Sequence, residues 1–411
     1  MKRNVLIIGA GGVAQVVAHK CAQHNDRLGD LHIASRTRAK CEAIIASVHE
    51  KGAMKQPGIF EAHAVNAMDS AEVAALIRKT GCQIVINVGS SFVNMTVLEA
   101  CIETGAAYMD TAIHEDPQKI CETPPWYGNY EWQRRDRCKA AGVTAILGIG
   151  FDPGVVNAWA RVAEGMLDTI TSIDIVDINA GSHGKWFATN FDPEINFREF
   201  TGTAYSWQNG GWQSNSMFEV GKTWTLPVVG DQKAYLTGHD EVHSLSARYK
   251  DADVRFWMGF GDHYINVFTV LKNLGLLSEQ PVKTAEGQEV IPLKVVKAVL
   301  PDPASLAPHY TGKTCIGDVV KGVKDGVEKE ILLYNVADHK EAYEEVGSQG
   351  ISYTAGVPPV TAAILIADGI WDVGHMANVE DLDPRPFINL LNKMGLPSRI
   401  RDENGDRPLE F

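Results

Sequence analysis

Val5-Leu6-Ile7-Ile8-Gly9-Ala10-Gly11-Gly12-Val13-Ala14 is the stretch that decides the fold. The first four residues form an uninterrupted apolar run, which is typical of a parallel strand buried on both faces. The glycines follow at once, and a helical pattern follows them. In this G-x-G-x-x-A order, Gly9 permits a tight turn, Gly11 lets the backbone approach a pyrophosphate, and Ala14 keeps the helix close to the strand. The stretch predicts a dinucleotide site that includes Gly9, Gly11, Gly12 and Val13.

The second predicted strand, Leu31-His32-Ile33-Ala34, indicates which dinucleotide binds. It leads into Ser35-Arg36-Thr37-Arg38-Ala39-Lys40, and no acidic residue occurs between Leu31 and Cys41. An Asp or Glu here would bind the ribose hydroxyls of NAD, whereas guanidinium and hydroxyl donors match a 2′-phosphate. A basic first turn on a solvated helix is the alternative. The pattern favours NADP(H), with contacts from Ser35, Arg36 and Thr37.

Composition narrows the class of protein. A chain of 411 residues predicts two domains. The net charge of −13 argues against nucleic acid and membrane surfaces as partners. Seven cysteines without a C-x-x-C pair predict reduced thiols and a cytoplasmic protein. We find no apolar run of about 18 residues and no signal peptide.

Strand and helix patterns alternate through the first 150 residues and predict a doubly wound parallel sheet. Ser70 is predicted to cap one of its helices. Residues 151–350 predict a second, α+β domain on an antiparallel or mixed sheet, which would carry the substrate and a dimer interface. Residues 351–411, with an apolar helix opening at Gly356-Val357-Pro358-Pro359, are predicted to return to the first domain. Cofactor contacts are expected where strands end, at Asn66, Asn87, Val88 and Gly89.

Three side chains are candidates for proton transfer. Asp110 ends the fifth predicted strand, where a carboxylate could orient substrate or hold a capping bond, and His114 lies one turn on. Asp152 stands in Gly148-Ile149-Gly150-Phe151-Asp152-Pro153-Gly154-Val155-Val156-Asn157, which predicts Asp152 as a helix cap with Pro153 at the first helical position. This turn is expected at the domain junction, where cofactor and substrate meet.

Several of these motifs together resemble the saccharopine dehydrogenase/reductase family of NAD(P)-dependent imine reductases. They are GAGGVA at 9–14, SRT at 35–37, NVGSS at 87–91, YMDTA at 108–112 and GFDPGVVN at 150–157. Within the family, the chain is most similar to the carboxynorspermidine (carboxyspermidine) dehydrogenase branch. The resemblance implies a homodimer that uses NADPH to reduce the Schiff base between aspartate β-semialdehyde and a diamine, either 1,3-diaminopropane or putrescine, in polyamine biosynthesis.

The resemblance also directs attention to the second domain. Saccharopine reductases carry an asparagine and a lysine before an F-S-W segment that helps to bind an amino acid. Here the stretch holds Asn196, Arg198 and Trp207. Arg198 and Lys185 are the candidates to bind the aldehyde substrate's carboxylate. The acidic and aromatic candidates for a diamine's ammonium are Asp177, Asp192, Glu194, Trp186, Trp207 and Trp212.

His239-Asp240-Glu241-Val242-His243 places two histidines at metal-ligand spacing. The glutamate does not match H-E-x-x-H, and Gly238 favours a loop, so we predict no metal. Asp240 or Glu241 reaching a diamine is the better interpretation. Two other functions stay open from sequence: a saccharopine-forming enzyme acting on lysine-derived substrates, and an NADP(H) sensor without turnover.

Overall fold

The structure is a computed structural model that describes residues 2–119 and 123–411; of the cysteines, Cys121 lies outside this range. The strands are β1 (Val5–Ile8), β2 (Leu31–Ser35), β3 (Phe60–Ala64), β4 (Ile84–Asn87), β5 (Ala107–Asp110), β6 (Ala145–Leu147), β7 (Thr169–Asn179), β8 (Thr203–Gln208), β9 (Gly211–Ser216), β10 (Gly221–Leu226), β11 (Gly230–Thr237), β12 (Asp253–Gly259), β13 (Val282–Lys283), β14 (Glu289–Val290), β15 (Lys313–Lys324), β16 (Val327–Asp338), β17 (Met376–Asn378), β18 (Arg399–Asp402) and β19 (Gly405–Pro408).

The chain also forms α-helices, which connect the strands. They are α1 (Gly12–Gln23), α2 (Arg38–Glu50), α3 (Ser70–Thr80), α4 (Asn94–Thr104), α5 (Arg135–Ala141), α6 (Val155–Met166), α7 (Pro193–Thr201), α8 (Asp240–Arg248), α9 (Asp262–Asn273), α10 (Pro292–Val299), α11 (His339–Val346), α12 (Gly350–Ala367) and α13 (Pro384–Lys393).

The first sheet has seven strands in the order β17-β6-β5-β4-β1-β2-β3, and all its pairs are parallel. This confirms the predicted doubly wound fold. Ile8 lies in register with Ala34 on one side and with Asn87 on the other, and Asn87 lies in register with Asp110. The carboxyl ends of four strands therefore meet at one edge, where such sheets bind ligands.

The second sheet is mixed, as predicted. At its centre β7 runs parallel to β12 and antiparallel to β15. The long hairpin of β15 and β16 turns at Asp325 and Gly326. The C-terminal segment divides between the sheets: β17 joins the first sheet beside β6, but β18 and β19 extend the second sheet beyond β16. The C-terminal segment therefore returns only in part to the first domain, because its last two strands extend the second sheet.

The apolar C-terminal helix α12 begins earlier than predicted, at Gly350, so Pro358 and Pro359 lie inside it. By length and composition alone it could cross a membrane, but 83% of it is buried inside the protein. It packs directly on α1, because a Cβ at Gly356 would lie only 2.7 Å from the Val16 Cβ. α12 is therefore a core helix.

Three local predictions were wrong. Asp69, not Ser70, caps α3, since its Oδ1 accepts from the backbone N–H groups of the first turn. Asp152 does not cap α6, because the cap bond runs from the Gly154 N–H to Asn157 Oδ1 at 2.8 Å. The region after Gly238 is the helix α8 rather than a loop, and two acidic residues in its first turn are the favourable charges for a helix start.

Replacing Gly356 with alanine tests the contact between α1 and α12. The added methyl would meet the Val16 side chain and the Val13 carbonyl oxygen at 3.0 Å or less, so we expect the free energy of unfolding to fall by about 1–3 kcal/mol. The control is Gly165→Ala, at an exposed helix position with no atom within 4 Å, where alanine should stabilise by up to about 1 kcal/mol. Equal stability of the two variants in urea would contradict the close packing.

Candidate active site

The glycine turn after β1 has the geometry of a dinucleotide site. Gly9 has φ +127°, and a Cβ there would lie 2.6 Å from the Val88 carbonyl oxygen, so only glycine fits. At Gly11, by contrast, no atom lies within 4 Å of where a Cβ would be, so the space beside the backbone is open. The helix α1 starts behind it with no acidic residue in its first turn and no side-chain cap. Its N–H groups can therefore take a pyrophosphate.

Helix α12 supports this turn from behind. A Cβ at Gly12 would lie 2.7 Å from Ser352 Oγ, and the Ser348 hydroxyl donates to the Gly12 carbonyl oxygen at 3.2 Å. The C-terminal segment thus fixes the position of the glycine turn, which the sequence motif alone did not indicate.

The residues after β2 fit the 2′-phosphate of NADP. Ser35 Oγ accepts from the Thr37 N–H at 3.2 Å, which shapes the turn. Arg36 and Thr37 are exposed, and Arg36 forms no ion pair within the described ranges 2–119 and 123–411, whereas Arg38 pairs with Glu42 at 2.9 Å. The exposed guanidinium of Arg36 and the exposed hydroxyl of Thr37 suit a phosphate monoester.

The two asparagines predicted to contact the cofactor differ in their surroundings. Asn66 is exposed, and its Oδ1 accepts from the Met68 N–H at 3.3 Å. Asn87 is buried: its amide donates to Asn94 Oδ1 at 2.8 Å and its Oδ1 accepts from the Gly89 N–H at 3.2 Å. Asn87 therefore shapes the turn of Val88 and Gly89. Direct cofactor contacts from these residues stay a prediction.

The Asp110 carboxyl is held by two hydrogen bonds within the first domain, and its predicted role in proton transfer stays a prediction. Its Oδ1 accepts from the Gly148 N–H and its Oδ2 from the Tyr108 hydroxyl, both at 2.7 Å, so the carboxyl ties β5 to the turn after β6. Burial raises its pKa to about 7. Of the two roles left open by sequence, the contacts favour the bond that holds the strands.

His114 lies beside this turn, within the first domain. Its backbone N–H donates to Glu131 Oε1 at 2.6 Å, its Nδ1 lies 3.0 Å from the Ser91 carbonyl oxygen, and its ring meets Tyr130 edge to face. These contacts hold the ring in place, and its predicted catalytic role remains a prediction.

A group of carboxyl side chains surrounds His239 where the second sheet meets the turn after β6. We call it the carboxylate cluster; its members are Asp152, Asp177, Glu199, Glu241 and Asp318. His239 Nδ1 lies 2.5 Å from Glu241 Oε2, its Nε2 lies 3.6 Å from Glu199 Oε1, and its ring stacks on Phe256 at 4.0 Å. His239 therefore contacts two of the carboxyls directly, and its charge also acts on Asp152 and Asp177.

Sheet register explains how distant sequence positions come together here. Asp177 on β7 lies opposite Ile316 on β15, and Asp318 lies two residues further along that strand. Side chains at these positions share one face of the sheet. Phe256 lies in register with Ile175 on the same face, which brings the stacked ring of His239 to the same place.

Burial and like charge set the protonation of the cluster. Burial raises the pKa of Asp177 to about 6 and that of Glu199 to about 8. Burial and the neighbouring Asp177 raise the pKa of Asp152 well above its usual range. Burial alone would lower the pKa of His239, but the carboxylates around it raise the value well above 6.5. The cluster therefore favours cations strongly.

The second histidine of the predicted metal-spaced pair lies in a different environment. His243 stacks between Trp126 at 4.2 Å and Trp212 at 4.9 Å, and its Nδ1 accepts from the Trp126 N–H at 3.1 Å. Burial lowers its pKa to about 3, so the ring is neutral.

Elsewhere, His32, Glu61 and His63 bring three possible ligand atoms together on β2 and β3, and the two imidazole rings are hydrogen-bonded to each other at 3.0 Å.

Arg198 is buried and engaged by neighbouring residues, and its predicted contact with a substrate carboxylate stays a prediction. Its Nη1 donates to both oxygens of Glu279 at 2.8 Å and its Nη2 to the Lys119 carbonyl oxygen at 2.8 Å, within a side chain that is 4% exposed. It joins α7 to the loop of the first domain. A buried arginine with carboxylates of its own has few donors left.

The other predicted substrate residues are also placed by the structure. Asn196 accepts from the Tyr264 hydroxyl at 2.5 Å, and the Trp207 indole donates to the Lys250 carbonyl oxygen at 3.0 Å, so both bond within their own domain. Lys185 is exposed in the loop after β7. The acidic candidates Asp192 and Glu194 pair with Lys297, and Trp186 is 77% exposed. Of the acids predicted from sequence, Asp152, Asp177 and Glu241 belong to the cluster, whereas Glu199 and Asp318 were missed.

Comparison with known proteins gives a consistent result. Residues 5–146 match the saccharopine dehydrogenase NADP binding domain and residues 150–396 match the saccharopine dehydrogenase C-terminal domain. The chain is 46% identical to a carboxynorspermidine synthase of Vibrio alginolyticus, covering 98% of both chains. It is 41% identical to a carboxyaminopropylagmatine dehydrogenase of Synechocystis, covering 96% of both. A saccharopine dehydrogenase of Saccharomyces cerevisiae shares the fold, with TM-score 0.71 at 14% identity over 97% of this chain and 99% of that one.

Arg36→Ala tests the assignment of the 2′-phosphate. Losing a hydrogen bond to a charged group costs about 1.5–3 kcal/mol, so KM for NADPH should rise roughly 10- to 100-fold while KM for NADH stays unchanged. Arg27→Ala, at a half-buried arginine paired with Asp368, is the control and should change neither value. An equal rise in KM for both nucleotides would show that Arg36 does not bind the 2′-phosphate.

Glu199 should make the free protein less stable as pH rises. An unfolded glutamate titrates near 4.3, so between there and about 8 the folded state holds a proton that the unfolded state has lost. His239, Asp240, Glu115 and Glu241 are the charged groups facing it. From pH 6.5 to 8 we expect Glu199 to remove about 1–2 kcal/mol of unfolding free energy.

Chemical denaturation at several pH values measures this effect. Glu199→Gln should flatten the decline above pH 6.5, whereas Glu330→Gln, at a surface pair with Lys321, should leave the profile of the parent protein unchanged. A Glu199→Gln profile that runs parallel to the parent would contradict the raised pKa.

Proposed function

The chain belongs to the saccharopine dehydrogenase family and is an NADP-dependent oxidoreductase, and on that premise we propose that it joins an aldehyde to an amine by reduction of their imine. The aldehyde is L-aspartate 4-semialdehyde, and the amine is 1,3-diaminopropane or putrescine. The products are carboxynorspermidine or carboxyspermidine, which places the enzyme in polyamine biosynthesis. The names of the curated relatives support this reaction.

The observation that carries the proposal is the carboxylate cluster. A diamine is a dication near neutral pH, and the carboxylate cluster beside His239 offers carboxyl groups whose ionised forms would pair with it in a partly buried site. The turn after β6 that holds Asp152 also lies at the strand edge that forms the cofactor site. The cluster is therefore placed where an amine would meet the cofactor.

The reaction requires little covalent chemistry from the protein. The amine nitrogen attacks the aldehyde carbon, and the carbinolamine loses water to give the imine, which needs a general acid for the leaving hydroxyl. When bound, NADPH supplies the hydride that reduces the imine carbon. Asp152 is the proposed general acid, because its raised pKa favours the protonated form and the residue is partly exposed. The remaining residues bind, orient and exclude water.

The alternative with a lysine-derived substrate has less support. Such a substrate adds a carboxylate to the amine component, and the carboxylate cluster would repel it. The likeness to the yeast enzyme supports the fold alone. A sensor without turnover is an outcome that the assay below distinguishes.

We also propose that the protein is a cytoplasmic homodimer with domains at 1–150, 151–350 and 351–411. Six buried free cysteines support a reducing compartment. The break between the two matched family models, at residues 146 and 150, supports the first boundary. The homodimer rests on the family resemblance, and light scattering coupled to size exclusion would test it.

NADPH absorbance tests the reaction directly. With purified protein and aspartate semialdehyde, we expect oxidation that depends on added 1,3-diaminopropane or putrescine. Asp152→Asn should lower kcat by roughly 10²- to 10⁴-fold, the usual contribution of general acid–base catalysis, with NADPH binding unchanged. Activity with lysine alone would favour the saccharopine reaction, and NADPH binding without turnover for any amine would favour the sensor.

A further inference from the structure

We propose that the inner end of the carboxylate cluster, formed by Asp318 and Glu241, binds the distal cationic group of the amine substrate, the group that does not react. This rests on the proposed function and assigns a direction to the substrate within the same site. The distal group lies inward, and the reacting nitrogen lies outward beside Asp152.

The inner carboxyls have unused acceptors. Asp318 is fully buried, and neither of its oxygens has a hydrogen-bond partner among the residues that the structure describes. Glu241 is also fully buried; its Oε2 bonds His239, but its Oε1 has no partner in the same part of the chain. Buried polar groups without partners are costly and rare in folded proteins. Three such oxygens together therefore point to a ligand with several N–H donors.

These acceptors face the rest of the cluster. The charges that act on Asp318 are those of Glu241 and Asp152, and Asp318 shares its sheet face with Asp177. Asp177 and Asp152 are partly exposed, whereas Asp318 and Glu241 are not. The cluster thus has an open end and a closed end.

The spacing of the two ends suits a short diamine. Asp177 and Asp318 are diagonal neighbours across an antiparallel pair, a relation that separates Cβ atoms by roughly 7 Å. A chain of three or four methylenes can place one nitrogen at each end. A monoamine would leave Asp318 unpaired, and a distal amino-acid carboxylate would be repelled.

Both an ammonium and a guanidinium offer the required donors. A guanidinium can bond both oxygens of Asp318 in parallel, and an ammonium can bridge Asp318 and Glu241. The shared chemistry is a cation with several N–H groups, so putrescine and agmatine serve as the two arms of the test.

The experiment compares kcat/KM for 1,3-diaminopropane, putrescine, agmatine and n-butylamine, with saturating aldehyde and NADPH. Relative to butylamine, Asp318→Asn should lower kcat/KM for the cationic-tailed amines on the order of 100-fold. Glu241→Gln should act in the same direction. Asp168→Asn, at a surface pair with Lys324, is the matched control and should change none of the values.

The pattern across amines separates a binding role from a structural one. An equal loss for butylamine and the diamines, or no loss for either, would overturn the proposal. Calorimetry of 1,3-diaminopropane with the NADPH-loaded protein separates it from the proposed function. Asp318-dependent binding without turnover would sustain the anchor and refute the reaction, and turnover that is indifferent to Asp318 would do the reverse.

Discussion

The position of the glycine turn depends on close packing from two sides. On one side, the carbonyl oxygen of Val88, directly after β4, lies 2.6 Å from where a Cβ at Gly9 would be. On the other side, Ser352 Oγ on α12 lies 2.7 Å from where a Cβ at Gly12 would be. A side chain at Gly9 would collide with backbone atoms, and one at Gly12 would require the Ser352 hydroxyl to move. Since α12 lies near the C-terminus, the cofactor site is complete only after the chain has passed through the second sheet and come back. The two domains are therefore coupled by the same contacts that shape the cofactor site.

This return also positions the substrate region. β17 pairs with β6 in the first sheet, while β18 pairs with β16 in the second. Asn157 on α6 donates to Glu380, which follows β17, and to Ser244 on α8. These bonds connect the C-terminal segment to the helix that carries Glu241. The carboxylate cluster is held against the strand edge of the first domain by a connected set of buried polar contacts.

The electrostatics of the cluster follow from burial. A carboxyl that leaves water without a partner becomes harder to ionise, and each neighbour of like charge adds to that effect. His239 compensates for part of the negative charge, which is why its own pKa is raised. The free protein therefore keeps several of these groups protonated, and a dication would replace the protons. A site of this kind selects its ligand by charge and by the depth at which each charge is placed.

Local patterns in the sequence determined the parallel sheet, the glycine turn, the NADP preference and the alternation of elements, because each depends on residues that are neighbours along the chain. The family resemblance, carried by short motifs, supplied the reaction. Sequence reasoning assigned Arg198 to substrate but not to Glu279, which engages its guanidinium, because nothing local to residue 198 indicates a partner 81 positions away. It missed Asp318 for the same reason: an acid within an apolar strand gains its meaning only when register brings it beside Asp177. Sheet register and helix packing are long-range, so only the tertiary structure decided which charges meet.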